Sequence, residues 1–132
     1  MPTHPLQTYL EADAETLEAR WQRLQGWIRE RFGKDAGIEG ILFLVGIQEQ
    51  GRGYEPDLDK ETKERLVMEG TYCVFETLGI YERIGMEADG QWVWQRRIDH
   101  PPGLSIDQQE TLLRTAILRY FENHLRDARD EA

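Results

Sequence analysis

Ile41-Leu42-Phe43-Leu44-Val45-Gly46-Ile47, followed at once by Gln48-Glu49-Gln50, is the stretch on which the fold turns. An uninterrupted apolar run of this length fits either a strand buried on both faces or a buried helix. Ile38, Ile41, Leu42 and Val45 keep the three-and-four spacing of one helical face, and the residues after them are good helix formers. The segment therefore predicts a helix over about 38–51, and with it a mainly α protein. It also falls far short of the roughly 18 apolar residues of a membrane span.

Downstream, Gly51-Arg52-Gly53-Tyr54-Glu55-Pro56 reads as a loop. A third helix follows over about 59–78, with Asp57 or Asp59 as its cap, an ordered Glu61–Arg65 pair and a buried stripe of Leu66, Gly70, Val74 and Leu78 that ends at Gly79. A hairpin is expected over about 80–98, because two strand-like runs flank Asp89-Gly90, a type I′ turn signal. A two-residue turn would set Gly85 against Trp94, Glu82 against Arg97 and Arg83 against Arg96. Pro101-Pro102-Gly103 then breaks the chain. Ser105 and Gln108 form a capping box for a last helix over about 105–127, whose stripe is Leu113, Ile117, Tyr120 or Phe121, and Leu125. Glu110–Arg114 and Glu122–Arg126 are its expected i,i+4 pairs.

Upstream, Leu10, Ala14, Leu17, Trp21, Leu24 and Ile28 line one face of a first helix over about 5–32. Thr8 with Glu11, or Pro5 at the first position, would open it, and Gly33 would close it. The stripes need one another, so a four-helix core with one β-hairpin between the third and fourth helices is expected, in a single domain over 1–132.

The 132 residues are enough to bury a core without staples. A net charge of −9 disfavours nucleic acid and anionic lipid, so neither is expected as a partner. Cys73 is the lone cysteine and lies within an apolar helical pattern, which predicts a buried, inert thiol. The first residues lack a basic start followed by an apolar run, so cytoplasmic residence is expected.

Motifs that carry chemistry are scarce. Di-metal bundle sites use Glu-x-x-His, which does not occur; His4, His100 and His124 are scattered, and no metal or cofactor is expected. Glu49, Glu69 and Glu76 are the carboxylates that a bundle would bring closest. Ser105 is the lone serine and has a capping role, and Gly51-Arg52-Gly53 is too short for a phosphate loop.

The stretches Phe43 to Gly51, Leu78 to Glu82 with the Asp89-Gly90-Gln91-Trp92 turn, and Ile117 to Glu122 resemble segments of a group of small uncharacterised bacterial helical proteins of unassigned function. The resemblance spans about 41–125, leaves out the first helix, and implies a compact helical fold with no activity or ligand to carry over.

Three functions remain in play. The leading one is a non-enzymatic protein-interaction or self-association module, a homodimer included, that uses the first helix or an Arg83, Trp92, Trp94 and Arg96 patch on the hairpin. The second is a small-molecule binder or enzyme with a pocket between helices two and three, near Gln48, Glu49, Arg52 and Tyr72. The third is an acidic winged-helix-like DNA-binding variant in which the 59–78 helix enters the groove and the hairpin is the wing.

Overall fold

The computed structural model describes residues 4–10, 14–50 and 57–131. Its elements are α1 (Gln7–Leu10), α2 (Ala14–Phe32), α3 (Ile38–Glu49), α4 (Lys60–Glu76), β1 (Tyr81–Met86), β2 (Trp92–Arg96) and α5 (Ile106–Glu131). The four long helices and the hairpin between the third and fourth of them match the architecture expected from sequence. Glu11 of the first capping box, and the loop at 51–56 with Arg52, lie outside the described residues. Of the expected first helix, α1 and α2 are described, with 11–13 outside the described residues, and α2 ends on Gly33 in the left-handed conformation (φ 71°), whose N–H donates to the Arg29 carbonyl.

The decisive run is helical, and its apolar character all round follows from its central place. Ile41, Leu42, Val45, Gly46 and Ile47 are all buried. The contact that makes α3 and α4 a pair is between backbones. A Cβ built on Gly46 would lie 2.1 Å from the Leu66 carbonyl oxygen, and one on Gly70 would lie 2.0 Å from that of Leu42. Only glycine permits so close a crossing at both positions. On the other faces of this pair, Leu17, Trp21, Leu24 and Ile28 of α2, together with Leu112, Ala116 and Tyr120 of α5, join one buried cluster.

Local signals account for most helix ends. Asp59 caps α4 by accepting from the Thr62 N–H at 2.8 Å; the Thr62 side chain first, and then this backbone bond, lower its carboxyl pKa. Ile80 N–H to the Phe75 carbonyl and Gly79 N–H to that of Glu76 close α4 in a Schellman pattern, with Gly79 at φ 77°. The Ser105–Gln108 box forms in both directions, at 2.9 and 3.1 Å.

Three expectations need correction. The stripe of α5 centres on Leu112, Ala116, Ile117 and Tyr120, with Leu113 and Phe121 only partly buried at its edge. The side chains of Leu125 and Arg126 lie outside the described residues, and Glu122 pairs with Arg20 of α2. Lys60–Glu64 (3.9 Å) forms in the first turns of α4, where Glu61–Arg65 was expected. The hairpin is shifted in register. A type I′ turn needs positive φ at both central residues, and Gly90 (φ 87°) is the one hairpin residue that has it. The chain makes a three-residue loop instead: Gly90 N–H donates to the Glu87 carbonyl, and Glu87 N–H to that of Gln91. Met86 then faces Trp92 and Gly85 faces Val93. A bulge between Arg83 and Gly85 moves the pairing once more, so that Arg83 faces Trp94 and Tyr81 faces Arg96.

Candidate functional site

The shifted register decides where the hairpin's charges go. With Arg83 opposite Trp94, its guanidinium turns inward to the helices, with its centre 4.9 Å from the Trp92 ring and 5.0 Å from that of Trp94. Its Nη2 donates to Glu49 Oε2 at the end of α3 (3.2 Å) and lies 3.7 Å from Cys73 Sγ on α4. Its Nε is buried 3.2 Å from Glu76 Oε2, close enough for an ion pair but out of line for a hydrogen bond. The Arg83–Arg96 repulsion expected from the earlier register is therefore absent. Arg96 lies outside, donating to the Tyr81 hydroxyl (2.9 Å).

From α5, the Tyr120 hydroxyl donates to Glu49 Oε1 at 2.7 Å. His124 Nε2 stands 3.5 Å from the same oxygen, and its Nδ1 lies 2.9 Å from the Tyr120 carbonyl. Both ring nitrogens thus face acceptors, so only the imidazolium could donate to both. Beside the cluster, Trp94 Nε1 donates to Glu69 Oε2, a carboxylate only 8% exposed (3.2 Å). Glu49, Cys73, Glu76, Thr77, Arg83 and Asn123 are among the residues around a cavity of about 150 Å³, which opens where α3, α4, β1 and α5 meet.

The chemistry of this cluster is that of a lock. Burial, then the charge of Glu49, raises the Cys73 thiol from 9.0 to about 12, so the sulfur stays protonated and unreactive at neutral pH. Burial and the bond to Glu49 push the Tyr120 phenol up as well, which keeps it a donor. For Arg83, burial opposes the charge, but the carboxylates of Glu76 and Glu49 outweigh it and hold the guanidinium protonated. Among the described residues no group of three or more His, Cys, Asp or Glu side chains could hold a metal ion.

The residues singled out from sequence are redistributed. Glu49 and Arg83, from two different candidate sets, meet each other. Tyr72 stacks on Trp94 (5.7 Å between centroids) and meets the edge of Tyr81, so it belongs to the hairpin's seat on α4. Gln48 lies on the far side of α3. At the glycine crossing α3 and α4 meet backbone to backbone. Of the 59–78 stretch that a winged-helix arrangement would place in a DNA groove, 69–78 has no exposed residue, whereas Lys60, Glu61, Lys63, Glu64, Arg65 and Met68 are exposed.

Gln48 leads to a second feature. An apolar groove of about 210 Å³ runs between α2, α3 and α5, past Trp27, Leu44, Ile47 and Phe121. Ile28, Phe32 and Leu44 also line a cavity of about 470 Å³ that continues it to the start of α3, past Ala36, Gly37 and Phe43. Phe32 is 51% exposed, while Trp27, Phe43 and Phe121 are half-buried. Trp27 and Phe32 were not picked out from sequence; the readable signal is that both lie off the Leu17–Ile28 stripe. No family model, no curated protein and no solved structure matches this chain.

Proposed function

We propose that the chain is a non-enzymatic protein-interaction module and that its working surface is the apolar groove between α2, α3 and α5. One observation carries this: Phe32, half exposed, lines both apolar cavities at the seam of α2, α3 and α5 and has no place in the buried core. A channel of this kind suits one face of an amphipathic helix from another protein. Gly37 and Gly40 in its wall keep the backbone bare, so a guest can approach closely. The polar cluster supports the same reading, because Arg83, Glu49 and Tyr120 bond one another and seat the hairpin.

The test is a labelled helical peptide of about 16 residues, long enough to hold a helix, with a leucine stripe and otherwise uncharged polar positions. Saturable binding by fluorescence anisotropy is expected. Phe32→Asp should remove it, and so should Gly37→Leu, which adds bulk where a Cβ meets nothing within 4 Å. Ile84→Asp, on an exposed hairpin residue, should leave it intact. No binding to the folded chain, or binding that ignores both groove variants, would remove the basis of the proposal.

A further inference from the structure

We infer that the segment held by this groove is an apolar helix with acidic flanks, supplied by a partner protein; this rests on the groove being the interaction surface. The charged side chains that line the groove are Arg31, Lys34 and Asp35. Asp35 is already paired with Arg29. Arg31 lies over the Trp27 ring, 4.5 Å from its centroid, and neither it nor Lys34 has a carboxylate partner among the described residues. The mouth of the groove is thus positive in a chain whose net charge is −9. Two other helix arginines, both half-buried, are met by acids, Arg20 by Glu122 and Arg114 by Glu18 and Glu110.

Two unanswered cations beside an apolar channel select a guest that brings carboxylates next to its apolar face. Arg31 is held over the Trp27 ring, so part of the entropy of ordering it is already lost before a guest arrives. The same charges reject a basic helix, which the rest of the acidic surface would otherwise attract from a distance. The positive mouth therefore sets specificity, and the aromatic channel supplies affinity.

The test uses three peptides with one leucine stripe and glutamate, glutamine or lysine at the flanking positions. The glutamate peptide should bind about fivefold more tightly than the glutamine one, as two exposed ion pairs warrant, and the lysine peptide more weakly than both. Raising the salt should erase that order by screening. Arg31→Glu with Lys34→Glu should invert it, and Phe32→Asp should abolish binding of all three. Equal binding of the glutamate and glutamine peptides would overturn the acidic guest yet leave the groove as a docking site. Failure of all three peptides would remove both proposals. A dimer in light scattering that Phe32→Asp dissolves would make a second copy the occupant and overturn the partner inferred here.

Discussion

At the scale of the residue, Cys73 shows how position sets chemistry. It lies 2% exposed on α4, beside Glu49 and Glu76, with Arg83 of the hairpin close by. Burial disfavours the thiolate most, and the carboxylates add to that, which together take the pKa from 9.0 to about 12. The consequence for stability has a definite sign. Above pH 9 the unfolded chain gives up the thiol proton and the folded chain keeps it, so the folded state is progressively disfavoured until the pH passes 12. Tyr120, whose phenol is also pushed up, acts in the same direction. Denaturant titrations from pH 8 to 12 should therefore show stability falling, with a shallower fall in Cys73→Ala. Equal slopes would mean that the thiol ionises normally in the fold. An inert buried thiol could be expected from its apolar neighbours alone. The carboxylates and guanidinium around it could not, because they arrive from other parts of the chain.

At the scale of the element, the crossing of α3 and α4 depends on two hydrogens where other residues carry a methyl. Gly46 and Gly70 each face the partner helix's carbonyl oxygen, and neither backbone can give way without parting the helices. Gly46→Ala should cost roughly 3 kcal/mol, the upper range for an overpacked core. Gly26 in α2 is the control: a Cβ there meets nothing within 4 Å, so Gly26→Ala should stabilise by roughly 0.5–1 kcal/mol through helix propensity. Chemical denaturation reads both, and equal effects would show that the crossing is looser than described. The difference between these glycines marks what was legible in the sequence. Features with their information within one turn were readable, such as the Ser105–Gln108 box, the Asp59 cap and the Leu17–Ile28 stripe. Gly70 fitted its stripe by spacing, but its counterpart Gly46 lies on another helix and nothing local couples them. The hairpin failed for a different reason. Asp-Gly serves two loop geometries that differ by one residue, and that residue, with the bulge after Arg83, moves every cross-strand pair.

At the scale of the molecule, the hairpin is a separate layer seated on a helical core, and its seat is mostly polar and aromatic. Two strands alone are marginal in water, so β1 and β2 persist because of what holds them to the helices. That is Arg83 on Glu49 and Glu76, Trp94 on Glu69 and Tyr72, and Tyr81 against Tyr72 and Phe75. Arg83 is the one residue that reaches both α3 and α4 while filling the space beside both tryptophans. Replacing it with methionine keeps most of the volume and strands Glu49 and Glu76. Breaking a fully buried pair costs about 3–5 kcal/mol; with Arg83 24% and Glu49 16% exposed, solvent reduces this to about 2 kcal/mol. That cost falls on the hairpin's seat, because the glycine crossing and the α2 and α5 stripes do not involve Arg83. In native-state hydrogen exchange, Arg83→Met should speed exchange at the paired amides of β1 and β2 by roughly 30-fold, while amides of α4 at the crossing keep their protection. If α4 and the hairpin lost protection in step, the two layers would open as one unit, and Arg83 would be part of the core's own stability instead of the fastening of its cover.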